Sequence, residues 1–343
     1  MLVACDSTHC PGQGRVHPEQ RSSTSLAVAL LTSLLAACGE GSELPGLNEP
    51  PEELPGTWTT RAALPTPRQE MPSALIGNSI YTPGGLGLSG GASDVLEVYD
   101  VAADSWSSGP AMPGARHHPG VAVSGGRLFV IGGYEPGPFP GPAADDVFIF
   151  DPATQQWNSG ASMPAPRAAH VSVEFGGRIY SIGGVRNGVV AGTNETYDPA
   201  LNSWTTLASM PTAREHLAAA VIADRIFVVG GRAPGNLAVL EAYTPATNSW
   251  QRLADMPTAR GGLAAAAVNG RLYVFGGEVP GVFEETEEYD PVTDTWRRVA
   301  DMPTPRHGMG AVTVSGVVHV IGGGVVAGLG ASGANEVFTP PSQ

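Results

Sequence analysis

The chain has 343 residues, a formal net charge of −14 and eighteen basic residues, all of which are arginine. An acidic chain without a basic run has nothing to neutralise phosphates, which excludes nucleic acid as a partner. Its 46 glycines and 31 prolines suit turns rather than long helices, and short bursts of valine and aromatic residues separate them. This composition favours an all-β fold over disorder.

The N-terminal region has the features of a lipoprotein leader. Residues 25–37, SLAVALLTSLLAA, carry no charge, and thirteen positions are too few to span a membrane but fit the apolar region of a signal peptide. Leu35-Ala36-Ala37-Cys38 resembles a bacterial lipobox, in which the cysteine is diacylated and becomes the new N-terminus. We therefore expect a signal peptide over residues 1–37 and a lipid anchor on Cys38. The alternative is an ordinary secretory peptide that contains a cysteine by chance. Residues 1–15 resemble no targeting element, and a translation start placed too far upstream explains them.

Residues 38–55 are acidic, rich in proline and glycine and without an apolar period, which predicts a flexible tether. Gly39, not aspartate, follows the cysteine, and in Gram-negative lipoproteins this accompanies export to the outer membrane. The predicted location is therefore the bacterial cell envelope, with the lipid anchor as the membrane contact. The other cysteines, Cys5 and Cys10, also precede the body of the chain, so the body has no disulfide and no cysteine nucleophile.

From Trp58 onward the chain repeats itself. Gly-Gly pairs occur at 84–85, 132–133, 183–184, 230–231, 276–277 and 322–323, and tryptophans at 58, 106, 157, 204, 250 and 296. Both markers show the same five spacings, 48, 51, 47, 46 and 46 residues. Two independent markers with one period indicate a repeat array in which each copy is one structural unit.

Each copy reads as four strands. Two apolar runs are joined by a short turn such as Asn269-Gly270, a third run ends at a proline turn, and a fourth begins at the tryptophan. Six such copies predict a six-bladed β-propeller of four-stranded antiparallel blades. The first tryptophan strand has no blade before it, and the last copy ends without a tryptophan. We therefore expect the N-terminal strand to complete the last blade of a domain over residues 56–343.

These features resemble the kelch-repeat family. The resemblance rests on the Gly-Gly pairs, the turns Tyr197-Asp198-Pro199 and Tyr289-Asp290-Pro291, the tryptophans and the Met-Pro-x-x-Arg segments, and it covers residues 56–343. It implies a propeller in which the segment after each of these arginines enters the innermost strand of a blade at one mouth of the central channel.

The arginine recurs in every copy, as Arg68, Arg116, Arg167, Arg214, Arg260 and Arg306. An acid lies two residues before the aromatic residue of the third strand in five copies, as Glu97, Glu195, Glu241, Glu287 and Glu336. Blade two has Phe148 in its place. Because a charge half buried in a sheet needs a partner, we predict structural Arg–Glu pairs, with any ligand role for the arginines second.

The two positions after each arginine vary, as Gln69-Glu70, His117-His118, Ala168-Ala169, Glu215-His216, Gly261-Gly262 and His307-Gly308. Polar residues occur at these positions on blades one, two, four and six, whereas blades three and five have only alanine or glycine there. The small residues leave space, and the His, Glu and Arg side chains of the other blades are candidates to bind a sugar or carboxylate. The predicted ligand-binding residues are Arg68, Glu70, Arg116, His117, His118, Arg214, Glu215, His216, Arg306 and His307. The alternative is a solvated rim without a dedicated ligand. A metal site from Glu70, His117, His118 and His216 is conceivable, but sequence does not fix the distances, so neither metal nor cofactor is predicted.

Two classes of function follow from the kelch resemblance. The leading hypothesis is a non-catalytic, monomeric, envelope-anchored propeller that binds a protein or a glycan. The rival is a secreted enzyme similar to bacterial N-acetylneuraminate epimerases, which needs placed acid–base groups, for which Glu70, Glu215 and the histidines are candidates. Galactose-oxidase-like chemistry is excluded, because the domain has no cysteine to crosslink to a tyrosine beside copper.

The lipobox assignment gives a direct test. Multiple acyl chains hold a protein at a membrane where one does not, so Cys38→Ser is expected to move the protein into the soluble fraction. Cell fractionation and labelling with a palmitate analogue measure this. Cys5→Ser is the matched control, since Leu2-Val3-Ala4-Cys5 has the same four-letter pattern without an apolar run before it. Continued membrane association of the Cys38→Ser protein, without labelling of the wild type, contradicts the assignment.

Overall fold

The computed structural model describes residues 55–342, and the predicted leader, Cys38 and nearly all of the predicted tether lie outside them. Within this range the chain forms six four-stranded antiparallel sheets, which are the blades of a propeller. Among the described residues no helix is long and apolar enough to cross a membrane. The all-β prediction and the count of six blades are both confirmed.

The strands occupy the same four places in each blade. The innermost strands are Ala74–Ile76, Gly120–Ser124, Val171–Phe175, Ala218–Ile222, Ala264–Val268 and Gly310–Val314. The second strands are Ser79–Pro83, Arg127–Ile131, Arg178–Ile182, Arg225–Val229, Arg271–Phe275 and Val317–Ile321. The third strands are Leu96–Asp100, Val147–Asp151, Asn194–Asp198, Leu240–Thr244, Thr286–Asp290 and Asn335–Thr339. The outer strands are Ser105–Ser108, Gln156–Gly160, Ser203–Thr206, Ser249–Arg252, Thr295–Val299 and Thr57–Thr60.

Short pairings add to two blades at the entry to the innermost strand. Arg68–Gln69 pairs with Leu86–Gly87, and Arg167–Ala168 pairs with Val185–Arg186, which also pairs with Val189–Val190. The innermost strands of neighbouring blades contact one another around a closed circle. They therefore enclose a channel on the axis of the propeller.

Local sequence explains the hairpin between the first two strands. In turns such as Gly125-Gly126 and Asn269-Gly270 both central residues have positive φ, between 50° and 75°. This is the type I′ geometry that matches the twist of the flanking strands and favours glycine and asparagine. In all six blades every residue of the second strand after the first is buried, as in Arg225–Val229, because neighbouring blades cover both of its faces.

The N-terminal strand closes the ring. Thr57–Thr60 pairs antiparallel with Asn335–Thr339, with Trp58 opposite Phe338, and becomes the outer strand of blade six. The predicted closure is therefore confirmed. It also gives the third strand of blade six a partner on its outer side, which removes an exposed sheet edge.

Each tryptophan joins its own blade to the preceding one. Its indole Nε1 donates to a backbone carbonyl of the preceding blade at 2.8–3.0 Å, with Ala300, Ala62, Pro110, Ala161, Ala208 and Ala254 as acceptors. In four of these links the N–H of the same alanine donates back to the Asp or Asn that precedes the outer strand, as Ala254 does to Asp294 at 2.9 Å. The tryptophans therefore join neighbouring blades, and four of the six contacts are two-way hydrogen-bond links.

The recurring arginines are structural, as predicted. Their guanidinium groups pair with Glu97, Glu195, Glu241, Glu287 and Glu336 in five blades. In blade five, Arg260 is fully buried, lies 2.6 Å from Glu287, and donates to the backbone carbonyls of Gly276 and Glu285 at 2.7 and 2.8 Å. The guanidinium thus ties the start of the innermost strand to the second and third strands of its own blade.

In blade two the recurring arginine pairs with acids at other positions. Phe148 stands where the other blades have glutamate, and the Arg116 guanidinium lies 5.1 Å from its ring centroid. The charge is instead paired with Asp146 at 2.5 Å and Glu135 at 3.2 Å. Cation–π contact and displaced acids therefore replace the buried carboxylate.

Removal of residues 56–63 is expected to give an aggregating or strongly destabilised protein. The deletion leaves Asn335–Thr339 as an unpaired edge and removes the link from Trp58 to Ala300. Removal of residues 39–52, which lie outside the described contacts, is the control and is expected to leave the melting temperature unchanged. Equal melting temperatures for the two deletions contradict closure by the N-terminal strand.

Glu287→Ala is expected to lower the free energy of unfolding by about 3–5 kcal/mol, because it leaves the Arg260 guanidinium buried without its counter-charge. Glu284→Ala, a change of the same type at an exposed acid of the same blade, is expected to stay within about 0.5 kcal/mol. Urea denaturation of the two variants measures the difference. Similar midpoints for both show that the buried pair does not stabilise the blade.

Candidate functional site

Six backbone hydrogen bonds close a circle at one mouth of the channel. They join the second residue after each recurring arginine to its counterpart in the neighbouring blade. The bonds run from Glu70 N to Gly308 O (2.6 Å), Gly308 N to Gly262 O (2.7 Å), Gly262 N to His216 O (2.9 Å), His216 N to Ala169 O (3.0 Å), Ala169 N to His118 O (3.0 Å) and His118 N to Glu70 O (2.9 Å). We call these six residues the axial ring.

All six residues of the axial ring have left-handed backbone, with φ between 50° and 69°. Glycine adopts this conformation freely, and Gly262 and Gly308 use that freedom. A residue with a side chain does so at a cost of about 1–2 kcal/mol. Glu70, His118 and His216 nevertheless occupy such positions, and backbone strain of this kind concentrates at functional sites. Their side chains are thus the first candidates for function.

Two further sets of residues surround the axial ring. The residue just before each ring member pairs with the residue just after the Gly-Gly pair of its own blade. These pairs are Gln69 with Leu86, His117 with Tyr134, Ala168 with Val185, Glu215 with Arg232, Gly261 with Glu278 and His307 with Gly324. Antiparallel bridges therefore bring twelve variable side-chain positions to the same mouth.

The side chains of the ring converge between blades one, two and four. His118 Nε2 lies 3.2 Å from Glu70 Oε2 and 3.0 Å from His216 Nε2. The histidines of blades two and four meet because Ala169, between them on blade three, has only a methyl side chain. We call Glu70, His118 and His216 the axial triad.

Each member of the axial triad is held from behind. His118 Nδ1 contacts His117 Nδ1 at 2.5 Å, and His117 Nε2 donates to Pro140 O at 2.8 Å. His216 Nδ1 contacts the Glu215 carboxylate, whose other oxygen lies 3.3 Å from Arg232 Nε.

Glu70 has its own support on the other side of the ring. Its Oε1 accepts from His307 Nδ1 at 3.1 Å, and His307 Nε2 donates to Val326 O at 3.1 Å. Every triad residue therefore has one polar atom fixed by an outer neighbour and one directed at the other two residues.

Burial and charge divide the histidines into two kinds. Burial lowers the pKa of His118 and of His216, and the nearby Arg232 acts in the same direction. Burial also lowers the pKa of His307, but the hydrogen bond to Glu70 and the charge of Glu278 outweigh it and raise that pKa. For Glu70, burial raises the pKa, and the imidazoles together with the His307 hydrogen bond bring it below its usual range. Both ring nitrogens of His307 face oxygen acceptors, Glu70 Oε1 and Val326 O, so its imidazole is placed to donate from both.

The axial triad separates two cavities. A cavity of about 470 Å³ lies on the loop side, lined by the triad with Glu215, Arg232 and Glu278 and by apolar residues such as Phe139 and Leu329. A cavity of about 170 Å³ lies on the other side, within the channel, and is also lined by the triad. Within residues 55–342, positions 70, 118 and 216 are the ones that line both.

The predicted site residues fall into three groups. Glu70, His118, Glu215 and His216 line the loop-side cavity. His117 and His307 are almost fully buried behind Glu70 and His118 and act as supports. Arg68, Arg116, Arg214 and Arg306 are buried in ion pairs inside their own blades and do not reach the cavity, so the expectation that they contact a ligand is not supported by their positions.

Sequence reasoning missed Arg232 and Glu278, which lie 3.1 Å apart across blades four and five. Both directly follow a Gly-Gly pair, and that position varies between copies as much as the positions after the arginines do. A search for positions that vary between copies therefore finds both residues when it includes the position after each Gly-Gly pair. The Arg232 side chain also accounts for the glycine at position 261, because a Cβ there would lie only 2.6 Å from it.

Comparisons with known proteins agree with this architecture. The chain is 31% identical over 193 residues to Kelch-like protein terF of Aspergillus terreus, which covers 51% of this chain and 39% of that protein. It is 33% identical over 130 residues to beta-scruin of Limulus polyphemus, covering 37% and 14%. The matched region therefore spans well under half of either relative. The solved structure of YjhT superimposes with a TM-score of 0.70 at 19% identity, over 82% of this chain and 97% of that one.

The family model described as KLHDC2/KLHL20/DRC7 Kelch-repeats domain matches residues 55–184 and 187–324. These two segments make up more than half of the chain and contain all six recurring arginines. With six four-stranded blades, a closed ring and the repeated Arg–acid pairs, the chain belongs to the kelch-repeat family.

Proposed function

We propose that the protein is a non-catalytic binding propeller, anchored to the outer membrane through Cys38, which takes up a protein partner at its loop-side mouth. The anchor and the location rest on the leader sequence. The binding role rests on one structural observation, a charged cavity lined in part by the exposed Phe139 and Leu329, on the face that carries most of the exposed apolar side chains. Kelch domains generally bind protein partners, which favours the same role.

The apolar loop tips are concentrated on one face. Among the described residues, nine large apolar side chains are exposed. Seven lie on the segments between the second and third strands, at the mouth where the axial ring lies: Leu88, Phe139, Val189, Val279, Val325, Val326 and Leu329. The other two, Leu201 and Val292, lie on turns of the opposite face. Clustered exposed apolar groups mark protein-binding surfaces, whereas single ones do not.

The cavity supplies the polar part of such a surface. Its volume of about 470 Å³ falls within the usual range of ligand pockets and suits one or two inserted side chains. Arg232 is held between Glu215 and Glu278, and all three groups line the cavity. An apolar surround with a few fixed charges at its centre favours a protein segment over a glycan, which has fewer apolar groups to bury.

The rival hypothesis of a sugar-active enzyme has one observation in its favour. Glu70 and His216 are ionisable groups at the base of the cavity, where an acid and a base are needed. However, both are already engaged with other protein groups, His216 with Glu215 and Glu70 with His307. We therefore place the enzyme second, and a measurement of anomer exchange of N-acetylneuraminate by NMR is expected to show the rate of buffer alone.

The binding role is tested by a pair of matched variants. Phe139→Asp with Leu329→Asp places charge on the loop tips at the mouth, and Leu201→Asp with Val292→Asp makes the same change on the opposite face. All four positions are exposed, so each change is expected to alter stability by less than about 0.5 kcal/mol. The first variant is expected to lose partner binding at least about tenfold, and the second to bind as the wild type does.

Crosslinking and affinity capture from envelope extracts, followed by titration with the purified partner, measure the difference. A glycan array with the same three proteins distinguishes the other ligand class. Equal binding by both variants, or glycan binding without a protein partner, contradicts the proposal.

A further inference from the structure

The axial triad presents three acceptor atoms to one another and no donor among them. Pro140 O accepts only, so His117 Nε2 donates to it and His117 Nδ1 is left as an acceptor for His118 Nδ1–H. The Glu215 carboxylate likewise takes the Nδ1–H of His216. A neutral imidazole has one N–H and one lone pair, so both Nε2 atoms are left with lone pairs. These face each other at 3.0 Å, with Glu70 Oε2 at 3.2 Å from His118 Nε2.

Such an arrangement requires a positive species between the three atoms. A proton bridges two acceptor atoms, whereas a metal ion coordinates three or more ligand atoms at once. A tetrahedral ion with bonds of about 2.0–2.1 Å separates its ligand atoms by about 3.3 Å, close to the 3.0 and 3.2 Å that separate His118 Nε2 from His216 Nε2 and from Glu70 Oε2. The ligand atoms of Glu70, His118 and His216 all lie within 4.8 Å of one another.

We propose that Glu70, His118 and His216 bind a divalent transition metal ion, with Zn²⁺ as the best fit to two imidazoles and one carboxylate. This goes beyond the proposed function, since the ion binds whether or not a partner docks, and it revises the sequence-based expectation that there is no metal. The three ligands come from blades one, two and four, so the site exists only in the closed ring.

The surroundings of the axial triad are those of a metal site. Metal-bound histidines usually donate their other N–H to a carboxylate or a similar acceptor, which fixes the ring and its tautomer. His216 has Glu215 in this role and His118 has His117. The second oxygen of Glu70 is held by His307. All three ligands therefore have a fixed orientation before any ion arrives.

The charge of the mouth also suits a cation. Three carboxylates converge here, those of Glu70, Glu215 and Glu278, and among the described residues Arg232 is the one arginine that forms an ion pair with any of them. Blades three and five add no ligand at the ring, because Ala169 and Gly262 stand there. Three protein ligands thus leave a fourth coordination position for water or another group, and the triad lines a cavity on each side.

Metal binding is measured on the purified protein after treatment with a chelator and dialysis. Titration with Zn²⁺ against a chromophoric competitor, with elemental analysis, is expected to show about one tight site per chain. His118→Ala with His216→Ala is expected to weaken binding at least about 100-fold. His319→Gln, at a buried histidine in the second strand of blade six, is the control and is expected to bind as the wild type does.

Two further measurements keep the test decisive if the double variant does not fold. Glu215→Gln, which alters a positioning residue only, is expected to weaken Zn²⁺ binding about 10–100-fold while the stoichiometry stays the same. Co²⁺ in place of Zn²⁺ is expected to give the intense visible bands of a four-coordinate ion in the wild type. The rim variant Phe139→Asp with Leu329→Asp is expected to keep the metal, so the metal site and the partner site can fail separately.

The proposal is overturned by two results. One is the absence of binding tighter than about 1 mM for Zn²⁺ or Co²⁺ in the wild type, which assigns the space between the imidazoles to a proton. The other is equal affinity in the wild type, the double variant and Glu215→Gln, which assigns any bound ion to the acidic surface.

Discussion

The circle of six backbone hydrogen bonds at the channel mouth is the constraint on which the site depends. Each member of the axial ring uses its N–H toward one neighbouring blade and its C=O toward the other, and all six do so with left-handed backbone. The backbone at these positions is therefore fixed, while the side chains remain free to differ. This explains why a repeat so regular carries its variation at that point. The strained conformation of Glu70, His118 and His216 is stabilised by closure of the whole ring rather than by local contacts.

The fold could be predicted because its determinants recur in every copy. The Gly-Gly pairs and tryptophans have one period. The first tryptophan strand has no blade before it and the last copy has no tryptophan strand, which implies closure by the N-terminal strand. Even the ion pairs of the arginines were predictable, because a charge in a sheet needs a buried partner and the acid recurs with it. Phe148 broke that pattern, and Asp146 and Glu135 at the edge of the same blade replace the missing glutamate.

The site was only partly predictable, because it depends on differences between the copies and on distance. Glu70, His118 and His216 were singled out by their variation, but their contact requires that Ala169 be small, and this follows only from the spatial order of the blades. Arg232 and Glu278 lie just after the second strands. Antiparallel backbone bridges to Glu215 and Gly261 place them at the channel mouth, and the sequence does not reveal these bridges. The arginines show the reverse case. Their charge and their place next to the variable positions suggested ligand contacts, but their side chains are buried within their own blades.

The tryptophan links have a consequence for the arrangement as a whole. Each blade donates an indole N–H on one side and offers a backbone carbonyl on the other, so all six interfaces are head-to-tail. Interfaces of this kind form closed rings only when the rotation between units divides the circle evenly. In a chain that gained or lost one repeat by recombination, the first and last blades would no longer meet, and one indole N–H and one backbone carbonyl would lack their partners. They would meet again only after the rotation between blades had changed at every interface. The number of blades is therefore a collective property of the interfaces, and a change in it passes through an open ring with two exposed blade faces.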